Sequence, residues 1–195
     1  MRNLGKRRRS HAINRYPAVN IHHARRCSEL WGTPLNLHVS IHLSQCGFHA
    51  DDASEKFQKL ISERFSPWLR RLSANDNGTG PTYIWTLEAP NEGVGVHWLL
   101  HLPTALHQQF KRKLPRWIES LGGSPQPRSI KVGGIDRLIG LTRYVLKGIS
   151  SVWGAHLGVI PVYQGEIVGK RTGFSRNLGP AERTRRGYKP KRHLN

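Results

Sequence analysis

Residues 35–43 alternate without a break. Leu35, Leu37, Val39, Ile41 and Leu43 are apolar, while Asn36, His38, Ser40 and His42 are polar. A period of two over this length describes a strand with one buried face. The period then changes. Asp51, Asp52 and Ser54 precede Phe57, Leu60, Ile61, Phe65, Trp68, Leu69 and Leu72, apolar at helical spacing with acids at the positive end of the axis. Pro67 is expected to kink or split this helix. Asn75 to Pro81 is turn chemistry. Tyr83 to Leu87 reads as a second strand, Pro90 to Gly93 as its turn, and Val94 to Leu102 as a third strand, so the two make a hairpin. Pro103 opens a helix bearing Leu106, Phe110, Leu114, Trp117, Ile118 and Leu121, which ends at Gly122-Gly123. A short fourth strand is expected from Ser129 to Ile135. Asp136 is expected to cap a third helix, Arg137 to Ser150, with Leu138, Ile139, Leu141, Val145, Leu146 and Ile149 as its buried stripe. One more strand is expected within His156 to Tyr163.

This order implies an α+β fold: an antiparallel sheet of four to five strands with helices packed on one face, flanked by basic tails. Residues 1–34 are expected to be a solvated, disordered arm. They hold the run Lys6 to Arg9, then Arg15, Arg25 and Arg26, and no acid precedes Glu29. Residues 35–150 form the folded domain. Residues 151–195 form a second basic extension, in which Glu182 is the single acid from Lys170 onward.

Charge narrows the function. Lys plus Arg number 31 against 12 Asp plus Glu, a formal net charge of +19. A field of that sign and size gathers polyanions, and nucleic acid is the usual one. A structural binder of the ribosomal type and a membrane-surface protein are the competing readings, but the second lacks the long basic amphipathic helix it requires. There is no G-x-x-x-x-G-K-[ST] loop and no room for a helicase or ATPase module. Cys27 and Cys46 have neither metal-site nor disulfide-scaffold spacing, which fits a reducing compartment. No secretory leader or membrane span is recognised, so a cytoplasmic protein without membrane contact is expected.

Three segments carry candidate chemistry. Glu88 ends the second predicted strand. Gly95 to Pro103 holds His97 and His101, and positions 95, 97 and 101 share one face of that strand. A carboxylate and an imidazole on adjacent strands, Glu88 and His97, suit a divalent cation such as Mg²⁺ or Mn²⁺, which would polarise a phosphodiester. Arg143 to Gly148 contributes Tyr144 and Lys147, three residues apart on a helix face away from the apolar stripe. A free phenol, with its ordinary pKa of about 10, is a poor nucleophile. Beside an activated phosphate and a lysine it becomes a usable one. His38 and His42, on the polar face of the first strand, and His101 are further candidates for the site. Arg137, Arg143, Lys170 and Arg171 are candidate DNA contacts. Trp85 and Trp98 are assigned to the core rather than to base stacking.

Taken together, Glu88, the strand Gly95-Val96-His97-Trp98-Leu99-Leu100-His101 and the helix residues Tyr144 and Lys147 resemble the pattern of HUH endonucleases. That family has an upstream acidic ligand, His-hydrophobic-His on a central strand, and a later Tyr-x-x-Lys helix. The similarity spans about residues 35–150 and implies a ferredoxin- or RRM-like sheet and the activity of small plasmid or phage rolling-circle initiators. It implies that Tyr144 attacks a phosphate of single-stranded origin DNA, keeps the 5′ end covalently, frees a 3′-OH and later rejoins ends. Lys147 would assist at the phosphate, and Glu88 and His97 would bind Mg²⁺ or Mn²⁺. One position departs from the pattern: Gly95 stands where the family has its first histidine. Two other readings stay open, a non-catalytic nucleic-acid-binding module of the same fold and a transposase- or relaxase-type nickase.

Overall fold

The computed structural model describes residues 8–72 and 80–190, the side chain of Glu92 excepted. Most of the turn expected at Asn75 to Pro81 and the first part of the Lys6 to Arg9 run lie outside the described residues. In chain order the elements are β1 (Arg9–Ser10), α1 (Arg15–Leu30), β2 (Leu37–His42), α2 (Ala50–Lys59), α3 (Ser66–Leu72), β3 (Tyr83–Glu88), β4 (Gly95–Leu100), α4 (His107–Glu119), β5 (Ile130–Gly134), α5 (Leu138–Val145), α6 (Ser151–Gly154), β6 (Ile167–Val168), β7 (Thr172–Phe174) and α7 (Pro180–Arg185). Among the described residues, five strands form one sheet in the order β5-β2-β4-β3-β7, with every neighbouring pair antiparallel. The fold is therefore the expected α+β class.

Period-two patterning fixes which residues face which way. On one face Trp98 lies between Val39 and Trp85, and Val96 between Ile41 and Leu87. These side chains bury against Phe57, Phe65 and Phe110 from the helical layer of α2, α3 and α4. Phe65 meets Trp98 edge-to-face at 4.7 Å between ring centroids, and Phe57 meets both Trp85 and Trp98 at 5.4 and 5.6 Å. Edge-to-face rings add to the apolar area they bury, because a positive ring edge meets a negative ring face. The core assignment of Trp85 and Trp98 is thus what the structure has.

The split expected at Pro67 takes the form of a changed helical register. α2 passes into α3 through a π-helical stretch, Leu60–Phe65. Pro67 has no N–H to donate and its ring crowds the carbonyl four residues back. A widened turn ahead of it absorbs both defects without breaking the rod.

The second face of the sheet carries a further helical layer. α1 packs Ala18, Ile21, Ala24 and Cys27 into a cluster with Ile84 and Leu99 of the sheet and Val145, Leu146 and Ile149 beyond. Residues 15–30 are therefore a helix seated on the fold, not the expected disordered arm. The stripe of Ala18, Ile21, Ala24 and Cys27 supplies the buried face, and the arginines point outward or along the rim. The basic C-terminal segment is also built in. β7 is the sheet's edge strand beside β3, His23 Nδ1 lies 3.0 Å from the Tyr188 hydroxyl, and the Arg183 guanidinium donates to the Asn20 side-chain carbonyl.

Three local expectations fail for stated reasons. The third helix is shorter than Arg137 to Ser150: α5 starts at Leu138, its N-cap is Arg137 with no side-chain cap bond, so Asp136 does not cap it, and it ends at Val145. Ile139 is 55% exposed rather than part of the buried stripe, because only Val145, Leu146 and Ile149 reach the core fully. No strand forms within His156 to Tyr163. Gly158 turns there with φ 61°, and Ile160 and Tyr163 project into solvent at 84% and 75% exposure. Among the described residues, no helix is long and apolar enough to cross a membrane.

Candidate active site

The sheet's second face is apolar at one end and polar at the other. Ile84 and Leu99 lie under the α1–α5 layer. Two residues along, His97 pairs with Ser40 and Thr86, and two further, Gly95 pairs with His42 and Glu88. The hairpin register places Glu88, the last residue of β3, directly beside Gly95, the first of β4. Gly95 presents no side chain, so the Glu88 carboxylate leans along β4 to His97. Glu88 Oε1 lies 3.2 Å from His97 Nε2.

Tyr144 and Lys147 come from the C-terminal turn of α5 and the residues just after it. The Lys147 N–H donates to the Tyr144 carbonyl at 3.0 Å, and its own carbonyl accepts from the Val162 N–H at 2.7 Å. The Ile13 N–H binds the Gly148 carbonyl at 2.8 Å, and the Ser150 N–H binds the Ile13 carbonyl at 3.0 Å. This turn is thereby stapled to the N-terminal segment. It aims Lys147 Nζ between two oxygens, 2.9 Å from Glu88 Oε2 and 3.1 Å from the Tyr144 hydroxyl. The ammonium also lies 4.2 Å from the centre of the Tyr144 ring, and that ring meets His97 edge-on at 5.4 Å. Glu88, His97, Tyr144 and Lys147 are one contiguous cluster. Tyr144 is 49% exposed, so its hydroxyl is open to a substrate.

His38 joins the cluster from behind. Its Nε2 is 3.1 Å from His97 Nδ1, and the Ser40 hydroxyl is 3.2 Å from both nitrogens. Burial and the nearby His97 push His38 down to about 4, so it is a neutral ring near neutral pH. Burial raises the Glu88 carboxyl, but the bonds from His97 and Lys147 outweigh it and hold it at about 2. Burial lowers Lys147, and its bonds to Glu88 and Tyr144 outweigh that and raise it. Glu88 is therefore a carboxylate and Lys147 an ammonium across the ordinary pH range.

Other candidates lie apart. His42 shares the face, but its Nδ1 accepts from the Gln45 N–H at 3.3 Å and its ring packs against Gly93. His101 is beyond β4 and binds the Pro34 carbonyl at 2.8 Å, a loop contact. Arg137, the residue before α5, and Arg143, just before Tyr144 on α5, are both exposed. Lys170 lies over the Trp85 ring at 5.8 Å, at the edge of the aromatic face. Arg171 is 5% exposed. Its guanidinium binds the carbonyls of Ser10 and Gln164 at 2.7 and 3.4 Å, so it clasps the N-terminal segment to the loop before β6 instead of facing solvent. Sequence reasoning missed Ser40 and Lys131. The alternation around His38 and His42 carries the signal for Ser40, which sits between them on the same face. Lys131 appears only through the pairing of β5 with β2, which sets it beside Ser40.

The residues do not make a cation site as they stand. Glu88 and His97 are two donors, Gly95 supplies none, His38 is turned onto the far nitrogen of His97, and the second carboxylate oxygen is held by an ammonium. Among the described residues, no group of three or more His, Cys, Asp or Glu is placed to hold a metal ion. The chain matches no protein-family model, and no curated protein matches it.

Proposed function

We propose that this chain cuts single-stranded DNA by attack of Tyr144 on a phosphodiester, holding the 5′ phosphate covalently until the strand is rejoined, as a rolling-circle initiator would. The observation that carries this reading is the half-exposed Tyr144, its hydroxyl 3.1 Å from an ammonium that is itself 2.9 Å from the Glu88 carboxylate. A solvated tyrosine on a structural helix has no need of such neighbours. A charge of +19 supplies affinity for the strand through counterion release, and Arg137 and Arg143 are exposed at the two ends of α5, the helix that carries Tyr144. Replacing Tyr144 with Phe should abolish covalent protein–DNA adducts on single-stranded oligonucleotides and leave binding within about twofold, since only a hydroxyl is lost. Adducts that survive Tyr144→Phe would sink the reading.

Gly95 favours a second reading, a nucleic-acid-binding module without catalysis. In that case strand binding persists, weakens steeply with salt, and no adduct forms with the unaltered chain under any condition.

A further inference from the structure

Resting on the nicking reading, we propose that the reaction needs no divalent metal, because Lys147, held by the Glu88 carboxylate, supplies the positive charge that a metal ion would. Phosphoryl transfer needs the charge on the non-bridging oxygens neutralised and the attacking oxygen relieved of its proton. A metal ion does both at once, but an ammonium fixed beside the nucleophile meets the first need by itself.

Four observations converge on this assignment. The ammonium sits 2.9 Å from Glu88 Oε2, so the carboxylate already holds a positive charge at the site. It also touches the attacking hydroxyl at 3.1 Å, the place for a charge that stabilises a phenolate and the phosphate it approaches. Gly95 removes a donor at the position between His42 and Glu88, and the space there is open: a Cβ at Gly95 would meet Ile41 O at 3.7 Å and Glu88 Cγ at 3.8 Å, ordinary contacts. The loss of a side chain at 95 is therefore not forced by packing. Finally, His97 is held on both ring nitrogens, Nδ1 by His38 and Ser40 and Nε2 beside the Glu88 carboxylate, 3.2 Å away, so it fixes the carboxylate that anchors Lys147.

The Tyr144 oxygen bonds to phosphorus as the bond from phosphorus to the 3′ oxygen breaks. The phenolic proton leaves to solvent, and the departing 3′ oxygen takes a proton from solvent as it becomes a hydroxyl. Nothing is oxidised or reduced, and rejoining is the reverse. Lys147 stays protonated throughout.

The test uses the full chain and a random-sequence single-stranded oligonucleotide pool, with adducts resolved on denaturing gels. Adduct yield in excess EDTA should equal that in Mg²⁺ or Mn²⁺ to within about twofold. Lys147→Ala should lower it by roughly 10²–10³-fold, the range for removing one stabilising group at a transferring centre, and Mn²⁺ should not restore it. Adding Gly95→His to Lys147→Ala should return adducts only when Mn²⁺ is present, since that change rebuilds a donor and frees the carboxylate. Far-ultraviolet dichroism and a thermal melt check that each variant folds. Adducts from the unaltered chain that appear only with a divalent metal overturn this inference and leave the Tyr144 reading standing. No adduct in either EDTA or metal overturns both.

Discussion

β4 presents two faces that differ by a shift of one residue. Val96, Trp98 and Leu100 point into a layer of interlocked aromatic rings, and Trp98 is wholly buried. Gly95 and His97 point the other way, into a row of carboxylate, imidazole and hydroxyl groups. One face is held by area and shape, the other by a few directed contacts. At this end of the strand parity separates stability from chemistry, while further along Leu99 turns the second face apolar as well, so His97 and Trp98 should respond to mutation in opposite ways.

The largest effect should come from Trp98→Ala, which empties the centre of the aromatic layer and should cost about 3–5 kcal/mol in urea unfolding. His97→Asn, one residue away, should abolish adducts for a stability loss under about 2 kcal/mol, because it gives up polar contacts and little apolar area. Equal stability losses at 97 and 98 would end the division of labour. Next is Gly173→Ala at the edge strand. A Cβ there would stand 2.5 Å from the Trp85 ring, so the ring or the strand must shift, at a cost of about 1–3 kcal/mol.

The polar face should also give the protein an acid-sensitive stability that the aromatic face does not. His38 is held at about 4 against an ordinary 6.5. Between those values the unfolded chain takes up a proton that the folded one refuses, so stability falls as pH drops through that window. Glu88 is held at about 2 against an ordinary 4.5, so its contribution is full above 4.5 and is lost as pH falls toward 2. Denaturation midpoints against pH should therefore slope downward from 6.5 in two stages. His38→Asn should flatten the upper stage and Glu88→Gln the lower, and a slope unchanged by both would refute the assignment. The smallest effect is Gly95→Ala, which should change stability by under about 1 kcal/mol, since the site is open and strand entropy favours Ala.

Much of this was legible in the chain. The nine-residue alternation gave β2 its register and faces, and the hairpin turn put Glu88 opposite Gly95. The spacing of Tyr144 and Lys147 put those two on one helix face, but that this face meets Glu88 and His97 was only what the resemblance implied, because the meeting depends on how α5 packs on the sheet. What escaped depends on distant packing. α1 was hidden because its buried stripe is small residues set among arginines, so charge masked a pattern that Ala18, Ile21, Ala24 and Cys27 do carry. β7 was hidden because three residues with a central glycine have no strand signature. Gly173 is explained only by the Trp85 ring that a Cβ would strike. Arg171 looked like a DNA contact because exposure cannot be read from a residue type, and its carbonyl partners come from segments far apart in sequence.

The contacts between α1 and the last described residues bear on how the molecule is made. Asn20 is bound by Arg183, and His23 meets Tyr188, partners separated by 163 and 165 positions. The ribosome releases α1 long before either partner exists, and its apolar stripe stays uncovered until Ile84 and Leu99 and then Val145, Leu146 and Ile149 have emerged. Pairings of such long range slow folding, and a helix left waiting exposes a surface on which newly made copies can stick together. Slowed translation or chaperone binding at the N-terminal third should therefore affect the yield of this protein.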